Sequence, residues 1–354
     1  MNFLSKKTLK FVLSCILSVF FLWLAFRNVQ FKKLWNVLTE INYWMTIPFV
    51  ILTLLGMYFR AIRWRWLLKA RYDFPTKDLA PPLFIGFALN NLLPMRAGEF
   101  ARPYALARKK DIPYSTVFAT VAAERVVDSL TLLMSLFIVL LFIHIDPEAS
   151  STFTGITVTG QDILNQQPKL ILMAFILLMG SISLILEPSR RVYEWFIRKL
   201  PLLKYDHKEK LVSLLGRFSH GFHSLKKARY IIIIAVYSIL AWVCVGFSLQ
   251  VLSWGFPGIT MGFFQGMAVM IIVCIAIMPS GVPGYWGFYE VGSILALKII
   301  GAVGASEKGE EAALGFSLVA HFLQILPIVI VGLFFMWKEK LTIGQIESAE
   351  EEVT

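Results

Sequence analysis

Long apolar runs separated by short polar segments dominate the pattern of this chain. A span needs about 20 apolar residues to cross a bilayer. Runs of suitable length lie near residues 8–26, 42–59, 116–145, 169–187, 230–252, 259–279 and 313–336. Two more runs, 79–93 and 287–303, are short and contain Pro, Gly or Asn. The pattern predicts an all-α polytopic membrane protein with about six full spans and two broken or re-entrant hairpins.

Composition and charge support this class and indicate which loops face the cytoplasm. Charged residues make up 16% of the chain, against about 25% in a soluble domain. The net charge of +11 fits cytoplasmic loops that face anionic lipid, so no nucleic acid is expected. Segments 60–78, 94–112 and 188–229 are rich in Lys and Arg, whereas 146–168 has none. We therefore predict cytoplasmic N- and C-termini and a first apolar run that is retained as a span.

The apolar run 79–93 lies between two segments that are both predicted to be cytoplasmic. A segment that starts and ends on one side cannot cross once, so it is predicted to enter the bilayer and return. Irregular backbone at that depth requires burial in protein or a wet cavity.

A second stretch, "IAIMPSGVPGYWGFYE" (275–290), resembles "NNLLPMRAGEFARPY" in kind. Each has an apolar run, a Pro, a Gly-rich break, an aromatic residue and a Glu, and a long apolar helix follows. Aligning those helices places Glu124 over His321. We predict an inverted-topology repeat, of about 42–145 and 230–336, and such repeats place broken helices at a transporter's substrate site.

Four stretches, "YFRAIRWRWLL", "NNLLPMRAGEFARPYAL", "ERVVDSLTLL" and "MPSGVPGYWGFYE", resemble the flippase-like, lysylphosphatidylglycerol synthase transmembrane-region family. The resemblance implies a bacterial cytoplasmic membrane protein that moves lipids or lipid-linked molecules across the bilayer. Larger family members carry a soluble aminoacyl-transferase domain. The longest polar loop is too short for one, so synthase activity is not expected. His321 stands where the family pattern predicts an arginine.

The motif "ERVVD" places charges inside a long apolar helix. Glu124, Arg125 and Asp128 share one helix face, and a charge at mid-membrane costs several kcal/mol unless it faces protein or water. The cluster either lines a polar cavity that binds an anionic headgroup or is an ion pair that fixes packing or lies at the surface. In "PMRAGEFAR", the arginines offer planar donors suited to phosphate, and the alternative is a cytoplasmic anchor with a capping glutamate.

The two breaks and the last span supply the remaining candidates. The predicted helix-break or gating residues are Pro94, Gly98, Pro279, Gly281, Pro283 and Gly284. In the last span His321 and Gln324 share a face, either for function or as packing residues. The predicted substrate-binding set is Arg96, Glu99, Arg102, Glu124, Arg125, Asp128, Glu290, His321 and Gln324. No catalytic residue, metal ligand or cofactor is predicted.

These residues lead to a prediction of function. Residues 1–340 are expected to form one transmembrane domain, 188–229 an amphipathic basic segment on anionic inner-leaflet lipids, and 341–354 an acidic tail. The expected function is a flippase for a phospholipid or a polyprenyl-phosphate-type lipid carrier, driven by a gradient or by equilibration. The alternatives are a membrane-embedded transferase acting on a lipid phosphate and a non-transporting assembly partner.

Overall fold

A computed structural model describes most of the chain. It covers residues 6–26, 30–69, 71–143, 145, 147, 150–153, 156–185, 228–303, 307–342, 344 and 345, with 195, 199 and 209 as isolated positions. The predicted basic segment 188–229 lies almost wholly outside the described residues, as does most of the acidic tail. The predicted division into domains therefore stays a prediction.

The described residues form helices joined by short connections, in an all-α polytopic membrane fold as predicted. In chain order they are α1 (Lys6–Phe26), α2 (Phe31–Glu40), α3 (Thr46–Leu68), α4 (Thr76–Leu92), α5 (Gly98–Lys110), α6 (Tyr114–Phe142), α7 (Gly160–Ile185), α8 (Ala228–Ser253), α9 (Phe263–Ile277), α10 (Phe288–Ile299) and α11 (Glu307–Lys338). Short 3₁₀ turns occupy Tyr43–Met45, Pro94–Arg96 and Pro283–Tyr285. A small antiparallel hairpin, β1 (Ser150–Phe153) and β2 (Ile156–Thr159), lies between α6 and α7.

Five helical stretches of the described chain are long and apolar enough to cross a membrane, namely 43–68, 114–142, 160–181, 229–253 and 309–338. A sixth results if α1 and α2, bent by 80°, count as one span. Large apolar side chains such as Leu172, Ile176 and Ile232 are exposed on the outer helices, as expected for a surface in contact with lipid. The prediction of about six spans is confirmed.

The structure corrects the predicted boundaries at two short helices, α9 and α5. The run 259–279 was predicted as a full span, but α9 has 15 residues and is about 22 Å long, too short for about 30 Å of hydrocarbon. It forms the first arm of a second hairpin, whose other arm is α10. The run 79–93 is predicted to enter the bilayer and return by itself, but it lies in the single helix α4. The returning arm of the first hairpin is α5, which lies in the segment 94–112 that is predicted as cytoplasmic.

The end of α3 is the third correction. Arg60 and Arg63 were counted as part of a cytoplasmic loop, yet α3 continues to Leu68 and buries both side chains. The error arose because charge was taken as evidence for a loop. Arginines that are paired with carboxylates on neighbouring helices remain compatible with a helix interior.

The two hairpins enter from opposite ends of α11. The base of the first hairpin is closed by the ion pair of Lys110 with Asp78, and Lys109 beside it pairs with Glu339 at the end of α11. Near the base of the second hairpin, Lys298 pairs with Glu310 at the start of α11. Because α11 has 32 residues and a length of about 48 Å, these bases lie far apart.

Each hairpin packs against the long helix of the other half. The arm α4 lies along α11, α9 lies along α6, and α3 pairs with α8. A small residue allows the close approach of α11 to α4, because a Cβ at Gly332 would collide with the α4 backbone at Phe84. Within the first hairpin, Gly98 has the same effect, since a Cβ there would collide with the carbonyl oxygen of Gly86. This exchanged packing supports the inverted repeat, which stays a prediction.

Candidate functional site

The turns at the two hairpin tips begin with the same backbone form and differ at the fourth residue, where ψ is −24° at Ala97 and 139° at Trp286. Each begins with a proline, Pro94 or Pro283, and ends four residues later with a glycine, Gly98 or Gly287. The second and third residues of both turns have positive φ: Met95 and Arg96 at 59° each, Gly284 at 65° and Tyr285 at 59°. Such angles are costly for residues other than glycine and persist only where the surroundings hold them. The structure thus places a strained turn at each predicted break.

The two tips touch each other. The Met95 amide donates to the carbonyl of Gly281 at 3.0 Å, two residues after Pro279. The Arg96 guanidinium donates to the carbonyls of Ile277 at 3.2 Å and Met278 at 3.1 Å. These carbonyls end α9, where a cation is favoured by the helix dipole. Arg96 therefore links the two breaks, and part of its donor capacity is already used.

A charged cluster lies beside the first tip. It consists of side chains from α3, α5 and α6, namely Arg60, Arg63, Glu99, Arg102, Glu124, Arg125 and Asp128. At its centre Arg102 donates two parallel hydrogen bonds to Glu124, at 2.9 and 2.8 Å. The Glu124 side chain is fully buried, and the Arg102 guanidinium lies 3.8 Å from the centroid of the Trp64 ring. Such bidentate pairs are among the strongest in proteins.

Two arginines of α3 complete the cluster. Arg63 lies 3.0 Å from Glu124 and donates to Asp128 at 2.6 Å. Arg60 lies 3.6 Å from Asp128 and 4.8 Å from the centroid of the Trp242 ring. Neither arginine was predicted as a site residue. Their spacing of three residues in "YFRAIRWRW" places both on one helix face, and this was the signal available in the sequence.

Arg125 is the accessible member of the cluster. Its side chain is 40% exposed and lies 3.1 Å from Glu124, 3.6 Å from Asp128 and 3.8 Å from Glu99. Four guanidinium groups here face three carboxylates, which leaves the cluster with a net charge of +1. The buried Nε atoms of Arg63, Arg102 and Arg125 have no hydrogen-bond acceptor among the described residues. The cluster has both charge and donors left for an anion.

A second pair lies beside the other tip. Glu290 is fully buried on α10, and its carboxylate accepts a hydrogen bond from the Gly287 amide at 2.6 Å. Its other oxygen lies 2.6 Å from Nδ1 of His321 on α11. The His321 ring is stacked on Tyr289, with centroids 4.0 Å apart and planes 5° apart. Sequence reasoning named both residues but not this pairing.

A small cavity lies between the hairpins and next to this pair. It encloses about 170 Å³ and is lined by apolar residues and a few polar ones, among them Asn91, Tyr285, His321 and Gln324. Phe87 also lines it, and the Arg60 guanidinium lies 5.7 Å from the centroid of the Phe87 ring. One wall of the cavity is therefore shared with the charged cluster.

An open basic cleft occupies the base of the first hairpin. It has a volume of about 670 Å³ and includes the exposed cations Lys77, Arg108, Lys109 and Lys338 among its lining residues. The described part of the C-terminal tail begins here, because Arg108 donates to Gln345 at 2.8 Å. Two carboxylates, Asp78 and Glu339, also line the cleft, so its four cations leave an excess of positive charge that attracts an anionic headgroup.

The structure thus brings the predicted residues together in two groups, with Arg96 between them. Arg102, Glu124, Arg125 and Asp128 lie together, with Glu99 at their edge. Glu290 and His321 form a separate pair that Gln324 joins at the cavity, and Arg96 links the tips. The roles in binding stay predictions.

Membrane-length helices, two broken hairpins that meet at their tips and charges buried beside them define a multi-pass membrane protein. The chain matches the family described as the lysylphosphatidylglycerol synthase TM region over residues 11–332. It belongs to that family, as the resemblance indicated.

Individual relatives agree with this assignment. A UPF0104 membrane protein of Pyrococcus horikoshii is 25% identical over 366 residues, a match that covers 96% of this chain and 99% of that protein. A UPF0104 membrane protein of Methanocaldococcus jannaschii is 30% identical over 141 residues, 39% of this chain and 42% of that protein. The glycosyltransferase AglD of Haloferax volcanii is 38% identical over 74 residues, 21% of this chain and 12% of that protein.

Proposed function

We propose that this protein moves a lipid with an anionic phosphate headgroup, either a phospholipid or a lipid-linked carrier, across the membrane. The observation that carries the proposal is the charged cluster, which lies beside two touching hairpin tips and has more guanidinium groups than carboxylates. The substrate headgroup is the anion that completes it.

The charge of the cluster is the first argument. An uncompensated charge within a membrane protein is costly, and the described side chains leave one arginine in excess. A phosphate diester carries one negative charge and accepts hydrogen bonds in the geometry that guanidinium groups offer. Within the cluster, Arg125 contacts the headgroup first, because it is the most exposed arginine there.

The arrangement of the hairpins is the second argument. In transporters, broken helices of inverted repeats surround the substrate, and rocking of one repeat against the other alternates access. Here the hairpins enter from opposite ends of α11, and their tips are joined by the Met95 amide and by Arg96. The basic cleft at the base of the first hairpin is the place where the headgroup is first attracted from one surface.

A transferase is the second candidate, favoured by two observations. The matched segment of AglD belongs to a protein named a glycosyltransferase, and the buried Glu290 and His321 are hydrogen-bonded groups of the kind that serve as acid and base in catalysis. A flippase leaves its lipid chemically unchanged, whereas a transferase changes the mass of the lipid.

Purified protein in vesicles tests the proposal. Fluorescently labelled phosphatidylglycerol and a labelled polyprenyl phosphate are placed in both leaflets, and the fraction protected from a membrane-impermeant quencher is followed over time. We expect protein-dependent movement with no change in lipid mass. A changed mass would support the transferase, and an unchanged protected fraction for both lipids would refute the flippase.

The variant Arg125→Gln ties the movement to the cluster. Loss of a charged hydrogen bond to phosphate costs about 1.5 to 3 kcal/mol, so we expect the rate to fall roughly 10- to 100-fold with normal expression. Arg65→Gln is the matched control, since Arg65 is a partly exposed arginine that pairs with Asp73 outside the cluster. Wild-type rates in Arg125→Gln would contradict the assigned role.

A further inference from the structure

The pair of Glu290 and His321 is built from groups whose charge can change. Glu290 is held by one backbone amide and one imidazole, at 2.6 Å each. In the charged cluster, by contrast, Glu124 is held by arginines, which stay protonated in proteins. Histidine is the side chain whose charge ordinarily changes between pH 5 and 8. Among the buried ion pairs of the described core, this is the one that includes a histidine.

Burial makes the charge of this pair consequential. With a neutral imidazole, the carboxylate and His321 together carry one negative charge, and with an imidazolium they are neutral. Both side chains are at most 2% exposed. A change of one charge at such a site alters the free energy of any conformation that exposes or buries it, because a charge is strongly disfavoured away from water.

The geometry also leaves one ring nitrogen of His321 where a proton can bind. Nδ1 of His321 faces Glu290, and the flat face of the ring is covered by Tyr289. Nε2 is buried and has no hydrogen-bond partner among the described residues. Because His321 lines the cavity of about 170 Å³, Nε2 is the nitrogen available to water or a headgroup oxygen there.

We propose that Glu290 and His321 form a proton-binding site that couples lipid movement to a proton gradient. The inference rests on the proposed function. In one state Nδ1–H donates to Glu290 and Nε2 is free. A proton from water on the more acidic side binds Nε2, which gives an imidazolium beside the carboxylate and brings the pair to neutrality. The same proton leaves Nε2 to water when the cavity opens to the other side.

The side chains around the pair are not suited to binding and releasing a proton near neutral pH. Tyr289 stacks on the ring, while Tyr285 and Cys274 face the same cavity from the second tip and α9. Tyrosine and cysteine ordinarily ionise above neutral pH. The charged groups on the far walls are Arg96, which lies over the Tyr285 ring, and Arg60 with its partner Asp128. None of these is expected to exchange a proton near neutral pH.

Proton flux measured together with lipid flux tests the coupling. Vesicles with a trapped pH-sensitive dye receive a gradient of two pH units, which supports up to about 100-fold lipid accumulation at one proton per lipid. We expect wild-type protein to accumulate labelled lipid at least tenfold. In His321→Gln and Glu290→Gln, protons moved per lipid should fall at least tenfold. A structural defect alone would lower both fluxes and leave the ratio unchanged, which would overturn the proposal.

Glu310→Gln is the matched control. Like His321, Glu310 lies on α11 and links it to α10, but its partner is Lys298 and its side chain is 35% exposed. The ratio should equal that of the wild type. Wild-type lipid movement without proton movement, or movement driven equally by a sodium gradient, would overturn the coupling and leave the flippase intact.

A spectroscopic measurement tests the site without transport. The chain has five histidines, so ¹⁵N-histidine labelling gives few signals, and His321→Gln assigns the relevant one. We expect that signal to shift between pH 5 and 9 and to change its midpoint in Glu290→Gln. A signal that does not move over this range would overturn the proposal even if no lipid movement were found, whereas absent lipid movement with a titrating His321 would refute only the proposed function.

Discussion

Glu124 and Glu290 are fully buried carboxylates beside the two hairpin tips, yet their partners differ in kind. Glu124 receives two hydrogen bonds from Arg102 and lies 3.0 Å from Arg63. Glu290 has a backbone amide and His321. Arginine fixes a positive charge permanently, whereas histidine can gain or lose one. The difference separates a site with fixed charge, suited to an anion, from a site with variable charge, suited to a proton.

Neutralising the buried carboxylate should cost more stability at Glu124 than at Glu290, and the loss at Glu124 is the largest effect expected. In Glu124→Gln the buried Arg102 and Arg63 lose their shared counter-charge, so we expect a loss of stability of about 3 to 5 kcal/mol. In Glu290→Gln the side-chain oxygen can still accept from the Gly287 amide, and the NH2 group can donate to Nδ1 of His321 once the ring proton lies on Nε2, so the expected loss is about 1 to 2 kcal/mol. Thermal unfolding in detergent, followed by intrinsic fluorescence, measures both. Equal losses would mean that the two carboxylates are held alike.

The tip glycines give the next largest effect. A Cβ at Gly98 would collide with the Gly86 carbonyl, and Gly287 has φ of 84° and lies against Ser18 of α1. We expect Gly98→Ala and Gly287→Ala each to cost about 2 to 4 kcal/mol, because the packed backbone must move. Gly180→Ala is the control, since no atom lies within 4 Å of its Cβ position. If only one of the two variants were destabilised, close packing would restrict the glycine at that tip alone.

The bases of the two hairpins also differ. Removing one cation from the first base should have a smaller effect, and that effect is on transport. The first base carries the basic cleft, whereas the second is closed by the backbone bridge of Ile259 with Val303. Each cation near an anionic surface contributes about 1 kcal/mol, so Lys77→Gln should raise the lipid concentration at half-maximal rate roughly fivefold. The effect should shrink at high salt. Lys340→Gln, exposed and outside the cleft lining, should have none, and an equal effect there would remove the cleft from the route.

Much of the fold was predictable from the sequence, and the site only in part. Apolar length predicts the spans, and clustered Pro and Gly predict the breaks, because both are local properties of the chain. The pairing of Arg63 with Glu124 and Asp128 joins residues more than 60 positions apart, and no local pattern indicates such contacts. Counting positive charges even pointed the wrong way for Arg60 and Arg63, since that rule assumes that arginines are solvated.

Asp73 gives the smallest expected effect and tests why Glu124 matters, because Asp73 too pairs with more than one cation. It lies in the α3–α4 connection and pairs with Arg65 at 3.2 Å and Lys69 at 3.3 Å. Hydrogen bonds from Arg65 and Lys69 hold the pKa of Asp73 below its ordinary value. A lowered pKa in the folded state stabilises the protein above the unfolded value of about 3.9, and the contribution is lost as the pH falls through the folded value.

For Asp73→Asn we therefore expect a slightly lower melting temperature at pH 7, a change that disappears in high salt and at acidic pH. The change should be close to the error of the measurement, because water screens exposed ion pairs. A loss as large as that of Glu124→Gln would show that the number of cationic partners decides the effect. The expected contrast instead assigns the effect to burial, since the same kind of pair is dispensable in water and indispensable beside the hairpin tips.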